Sequence, residues 1–480
     1  MNLVNPVNVV NPMNPARLAI ALVLLVGASL LAQAPPAPMP SDSEIRDILV
    51  DRIDKQHESV GIVVGVIDAK GRRVIPYGSL GKGDTRPLNG ETVFEIGSVT
   101  KMFTALLLTD MVQRGEVALA DPVAKYLPAD VVMPQRGGRQ ITLQDLATHT
   151  SGLPRLPSNL TPKDPSNPYA DYSVAQLYQF LSKYQLTRDI DSQFEYSNLG
   201  FGLLGHALER RAGRSYDALA RARVFGPIGL TNTGIALTAD QRARLAVGHN
   251  AKLEPVANWD LPTLAGAGAL RSTANDMLAF LAAALGYAQT PLAPAMAALL
   301  TVRRPTTSPG MGTALGWQTL GPAATEIIWK DGGTGGYASF LGYDPRSRVG
   351  VVVLSNAFAA SGALTGVDDI GLHLLNPQIP LNRPRQPHTA VTVDPRILDG
   401  YAGRYQLAPN FIITITREGN RTFAQATGQM RFEIFPESER EFFAQIGDIQ
   451  IAFEADSQGR GTSLLLKQNG TVAPAAKRIE

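Results

Sequence analysis

A chain of 480 residues, 44% of them apolar and 18% charged, can bury a full core and should hold two or three structural units, so it is globular and not disordered. Lysine plus arginine (44) nearly balance aspartate plus glutamate (42), the formal charge is +2, and no basic run could track a phosphate backbone, which excludes nucleic acid as an expected partner. The absence of cysteine excludes a thiol nucleophile, a disulfide framework, a thiolate metal site and a lipid anchor on cysteine.

At the N-terminus, Arg17 precedes LAIALVLLVGASLLA and then Ala32-Gln33-Ala34, an A-x-A cleavage pattern. These residues predict a signal peptide over 1–34 and a Pro-rich linker over 35–44. Fifteen apolar residues fall short of the ~20 that a spanning helix needs, so no stable membrane anchor is expected and the protein should be periplasmic or secreted. Residues 1–12 repeat Asn, Pro and Val without basic character, and a start at Met13 would leave a more ordinary signal peptide.

Next, SDSEIRDILVDRIDKQH combines a capping residue with helical apolar spacing, and GIVVGVIDAKGRRVIPYG reads as two strands around a turn at Lys70-Gly71. Residues 99–114 form a strongly apolar helix, and further helical stretches run from about 142 to 300, one of them opened by the cap-like Thr273-x-x-Asp276. From about 327 the runs IIWK, ASFLGYD and VGVVVLSNA are strands expected to rejoin the first hairpin in one sheet. Prolines then cluster over 377–396 (Pro377, Pro380, Pro384, Pro387, Pro395), and FIITIT, RTFAQA, EFFAQI and TSLLLK mark a separate small β domain over 397–480.

No serine lies in a G-x-S-x-G pattern. Ser98-Val99-Thr100-Lys101 instead opens the apolar helix, so serine and lysine lie one turn apart on one face and their side chains can touch. A neutral lysine there could take the serine proton, and the helix N-terminus would favour negative charge on the attacked carbonyl. An N-capping serine beside a surface lysine has the same spelling, so S-x-x-K alone decides nothing. Two more elements follow in order: Tyr196-Ser197-Asn198 ahead of the helical LGFGLLGHALERRAG, and Lys330-Asp331-Gly332-Gly333 after the apolar IIW.

With these three boxes the chain resembles the class C β-lactamases and the related low-molecular-weight penicillin-binding proteins, D-amino-acid peptidases and esterases, which carry S-x-x-K, Y-x-N and K-T-G or H-x-G. The stretches LATHTSGLP (146–154) and GAGALRSTANDMLAF (266–280) share the likeness, which spans roughly 45–375. It implies an α+β fold, an antiparallel sheet flanked by helices with a helical subdomain, over 45–376. It also implies Ser98 as acylated nucleophile, Lys101 and Tyr196 sharing the proton transfers, and Asn198 orienting the substrate amide. Lys330 would then hydrogen-bond near Tyr196 and attract a substrate carboxylate, and the N–H groups of Ser98 and Gly333 would form the oxyanion hole. Asp331 departs from the usual Thr, in a pattern closer to the esterase and peptidase branches. The expected reaction is β-lactam hydrolysis, with D-amino-acid peptide or ester cleavage as alternatives and a slowly deacylating penicillin-binding receptor as the rival from another class.

His149, in the turn THTSG, reads as structural, and the likeness gives it no catalytic part. The histidines at 57, 149, 206, 249, 373 and 388 have no metal-ligand spacing, so no metal and no cofactor is expected. DGGTGG lacks the Lys-Ser/Thr of a phosphate loop and reads as a tight turn between strands. The C-terminal segment resembles the lipocalin-like β-barrel appended to relatives of this family and carries no candidate catalytic cluster.

Overall fold

The computed structural model describes residues 39–308, 310–358, 360–361, 364–382, 388–408, 411–427, 431–444, 449–468 and 471–480. The expected signal peptide lies outside the described residues, as do Pro384 and Pro387 of the proline cluster.

The first hairpin and the late strands share one sheet. In order across it run Gly71–Gly78, Gly61–Asp68, Val349–Ser355, Ala338–Asp344, Ile327–Gly333, Gln318–Leu320, Met311–Thr313 and Arg304–Pro305. All neighbours are antiparallel, with Val64 opposite Val353 and Lys330 opposite Leu341. The hairpin turn is Ala69–Lys70, one residue earlier than expected, because Gly71 (φ 120°) already opens the second strand and pairs with Asp68.

Strand residues alternate between two cores, which is why GIVVGVID is apolar at nearly every position. Val64, Val66, Val351 and Val353 pack with Ile45 and Leu49 of the helix Asp42–Val50 and with Ile370 and Leu374 of the helix Asp368–Leu375. Val63, Ile67, Val352 and Leu354 join the larger core built on the helices Thr100–Gln113 and Ala274–Ala284. The helix Asp42–Val50 starts where Ser41 Oγ accepts the Glu44 N–H and the Glu44 carboxylate accepts the Ser41 N–H at 2.7 Å. Thr100–Gln113 is buried from Thr100 through Met111, the pattern of a helix that is apolar all round and sits at the centre of a domain. Each Leu enclosed there contributes about 1.5–3 kcal/mol, which fixes the frame from which Lys101 projects.

One buried ion pair joins the two ends of this domain. Arg52 donates to Asp369 at 2.5 Å and to Glu58 at 2.9 Å, with the side chains of Arg52 and Asp369 3% and 1% exposed. Arg52→Ala strands Asp369 as an uncompensated buried charge, and chemical denaturation should show a stability loss of about 3–5 kcal/mol; a loss under about 1 kcal/mol would contradict this.

The C-terminal strands Gly403–Ala408, Phe411–Glu418, Arg421–Ala426, Phe432–Pro436, Glu441–Ala444, Ile449–Ala455, Gly461–Gln468 and Ala476–Arg478 close on themselves. Closure comes from Gly461–Gln468 pairing both Ile449–Ala455 and Ala476–Arg478, the latter returning to Gly403–Ala408. Inside lie Tyr405, Ile413, Phe442, Phe453 and Leu464, with Tyr401 stacked on Phe453 at 4.3 Å. The strand runs marked a small β domain, and its closure into a barrel is what the resemblance implied. Among the described residues no helix is long and apolar enough to cross a membrane.

Candidate active site

Ser98 lies in the short turn Gly97–Val99 that leads into the helix Thr100–Gln113. Gly97 has φ 47°, and a Cβ there would stand 2.7 Å from the Gly333 nitrogen and 2.7 Å from its oxygen. Only glycine lets the turn come this close to the strand Ile327–Gly333. Likewise a Cβ on Gly332 would meet Ile96 O at 2.1 Å and Ser98 N at 2.9 Å. Ser339 Oγ donates to Ile96 O at 2.8 Å and pins the turn to the neighbouring strand. The backbone nitrogens of Ser98 and Gly333 are thereby held on adjoining elements at the strand end.

Lys101 is fully buried and its ammonium has three acceptors: Ser98 Oγ at 2.9 Å, Asn198 Oδ1 at 2.9 Å and Ala267 O at 2.7 Å. The third partner depends on a close approach of the helix Asn198–Ala212 to the turn Ala265–Gly268, where a Cβ on Gly205 would stand 2.9 Å from the Gly266 Cα. Thr104 Oγ1 donates to Gly266 O at 2.8 Å, locking that turn onto the nucleophile helix.

Tyr196 O–H donates to Ser98 Oγ at 2.7 Å. Its position is set by Ser197, which caps the following helix by accepting the Gly200 N–H at 2.8 Å and itself donates to Pro154 O at 2.6 Å. The Asn198 N–H donates to Arg155 O at 3.0 Å. His149 Nδ1 accepts the Ser197 N–H at 3.0 Å, and its ring stacks on Tyr196 at 4.5 Å. The ring proton of His149 is therefore assigned to Nε2. Burial, with Lys101, Lys330 and Arg155 nearby, holds His149 well below its ordinary value, so it is a neutral spacer behind the tyrosine.

Electrostatics tune the same cluster. Burial pushes the Lys101 ammonium down, Tyr196 opposes this and Lys330 adds to it, for a pKa lowered to about 8. At pH 7 about a tenth of such lysines are neutral, ~300-fold more than for an ordinary lysine. Burial pushes the Tyr196 phenol up, but the charges of Lys101 and Lys330 outweigh it and leave the group below its ordinary value. Lys101 Nζ lies 4.9 Å and Lys330 Nζ 5.2 Å from the Tyr196 ring centre, with the Arg155 guanidinium 5.1 Å from it.

All six residues singled out in the sequence, Ser98, Lys101, Tyr196, Asn198, Lys330 and Gly333, lie in this one neighbourhood, and two of them make contacts that the sequence reading did not include. Lys330 Nζ donates to Asp331 Oδ1 at 2.6 Å and meets only the face of Tyr196. Asn198 Oδ1 is engaged by Lys101. Sequence reasoning missed Ala267 O, His149 as the backing of Tyr196, and Arg155; the two stretches around 146–154 and 266–280 carried the only signal for them. Among the described residues no group of three or more acidic or histidine side chains could hold a metal ion.

Comparison with known proteins agrees with this architecture. A family model described as Beta-lactamase matches residues 47–369, and one for a domain of unknown function, DUF3471, matches 387–477. The D-alanyl-D-alanine-carboxypeptidase/endopeptidase AmpH of Escherichia coli K12 is 32% identical over 332 residues, covering 65% of this chain and 83% of that protein. Penicillin-binding protein 4* of Bacillus subtilis is 24% identical over 456 residues, covering 89% and 97%. A crystal structure of a class C β-lactamase from Rhodobacter sphaeroides superposes with TM-score 0.57 at 26% identity, covering 66% of this chain and 93% of that one. With the serine, lysine and tyrosine of the first two boxes on one hydrogen-bonded centre and the family model spanning most of the chain, the protein belongs to the Beta-lactamase family and is a serine hydrolase of that family.

Proposed function

We propose that the chain is an exported hydrolase that works through an acyl-enzyme on Ser98, taking an amide, β-lactam or ester carbonyl and releasing the acid to water. The observation that carries this reading is the pair of hydrogen bonds converging on Ser98 Oγ, from Lys101 at 2.9 Å and from Tyr196 at 2.7 Å. Once either partner has lost a proton it can accept the serine proton, and the resulting alkoxide attacks the carbonyl carbon. The Ser98 and Gly333 N–H groups are the donors available to the developing oxyanion, each worth about 3 kcal/mol in comparable sites. The proton then passes through the Lys101–Tyr196 pair to the leaving group. The same pair, deprotonated again, activates the water that cleaves the ester on Ser98.

β-Lactam ring opening and D-alanyl peptide cleavage both fit this sequence of steps, and relatives bear both names. The base needed for the water step supports turnover over a permanently acylated receptor, in which adduct would accumulate without product. Export rests on the N-terminal A-x-A pattern.

The pH profile tests the proton inventory. The active form of the Lys101–Tyr196 pair has lost one proton, whichever residue gives it up, so kcat/KM should rise with pH along a limb centred near about 8. A profile flat from about pH 6 to about pH 9 would exclude the pair as the base.

A further inference from the structure

Lys330 is a buried cation 5.2 Å from the Tyr196 ring centre, yet its charge is already answered. Its side chain is 2% exposed and bonds at 2.6 Å to Asp331, whose own side chain keeps 27% exposure. Burial works against the Lys330 ammonium, but Asp331, Tyr196 and Asp368 outweigh it, and the group titrates above its ordinary value. Burial likewise works against the Asp331 carboxylate, and Lys330 outweighs it, holding that group below the usual carboxylate range.

An arriving substrate carboxylate therefore meets a salt bridge where a lone ammonium would be needed. To reach Lys330 it must displace Asp331 or lie beside it. In the first case a charged side chain loses its partner in a dry site; in the second, attraction to Lys330 is offset by repulsion from Asp331 at nearly the same distance. The carboxylate still loses its hydration in either case. An uncharged substrate end has none of these costs and can still accept a hydrogen bond.

We propose that Asp331 sets the substrate class: by occupying Lys330 it selects acyl donors whose leaving portion is uncharged, neutral esters and amides, over those carrying a carboxylate beside the scissile bond. This deepens the Ser98 acyl-enzyme reading and rests on it. It reverses the order expected from the K-x-G resemblance alone, since β-lactams and free D-alanyl peptides carry that carboxylate. Asp331 acts here through Lys330 as a specificity-determining residue and takes no part in bond breaking.

Two thioesters that differ only in this charge test it: benzoylglycyl thioglycolate and benzoylglycyl thioglycolamide. In both, the bond from Ser98 Oγ to the benzoylglycyl carbon forms as the carbon–sulfur bond breaks, and the serine proton ends on the released thiol, which a thiol reagent counts. Wild-type protein should show kcat/KM at least about tenfold higher for the amide. In Asp331→Asn and Asp331→Thr that ratio should fall toward one or below, through a gain on the acid; a purely structural effect would move both substrates together. Equal rates, or faster hydrolysis of the acid by wild-type protein, overturn the proposal. So does an unchanged ratio in either variant that stays active. If both variants fail to fold, the wild-type ratio alone decides. A wild-type preference for the acid that disappears in Arg155→Gln would assign anion recognition to Arg155, which is exposed and makes no ion pair among the described residues. No hydrolysis of either thioester by wild-type protein, or full hydrolysis by Ser98→Ala, rejects the acyl-enzyme reading itself and is distinguishable from all of these.

Discussion

Ser98→Ala should lower kcat by on the order of 10^6-fold while leaving the thermal midpoint within a few degrees of wild type. The size follows from the chemistry: without Oγ no acyl-enzyme forms, and the groups left behind can only assist direct attack by water. The fold should tolerate the change because Ser98 is half-buried and its hydroxyl bonds only the Lys101 and Tyr196 side chains, each held by other contacts. Lys101 keeps Asn198 and Ala267 as acceptors after the change. Turnover retained within about tenfold of wild type would move the nucleophile elsewhere, and the mechanism with it.

Lys101→Ala should slow acylation by about 10^2- to 10^4-fold, the range typical of losing a positioned general base. This variant has a second cost that Ser98→Ala lacks. Its ammonium is the donor to Asn198 Oδ1 and Ala267 O, and their loss inside a closed core should lower stability by about 1–3 kcal/mol. Single-turnover kinetics separate the two effects, because a destabilised but folded enzyme keeps its acylation rate. An unchanged rate would leave Tyr196 as sufficient base and make Lys101 a structural donor.

Much of this site was legible because its chemistry is local in sequence. Serine and lysine one helical turn apart, a tyrosine at a helix start and a lysine on a strand can each be read from a few residues. The late strands were expected in the sheet from the short β-rich runs IIWK, ASFLGYD and VGVVVLSNA, and the last of these pairs with the first hairpin as Val63 to Leu354. In the barrel, FIITIT showed its alternation, but closure did not show, since the Tyr405–Arg478 pairing joins strands far apart in the chain.

What escaped was tertiary. Ala267 contributes a backbone carbonyl, which no side-chain pattern can announce, and its reach depends on the close approach of Gly205 and Gly266. The Lys330–Asp331 bond was hidden for a different reason. Neighbouring residues on a strand normally project to opposite faces, so sequence argues against contact between them, yet the Lys330 ammonium reaches the Asp331 carboxylate within the strand Ile327–Gly333. The expectation that Lys330 attracts a substrate carboxylate did not include this partner.

The most direct test of the central claim is to mix wild-type protein with the neutral benzoylglycyl thioester, quench in acid during the first turnovers, and locate any benzoylglycyl group by intact mass and peptide mapping. A transient adduct confined to the peptide carrying Ser98, and absent from Ser98→Ala, is the predicted result. Turnover with no adduct at any quench time, or an adduct that persists in Ser98→Ala, would contradict it.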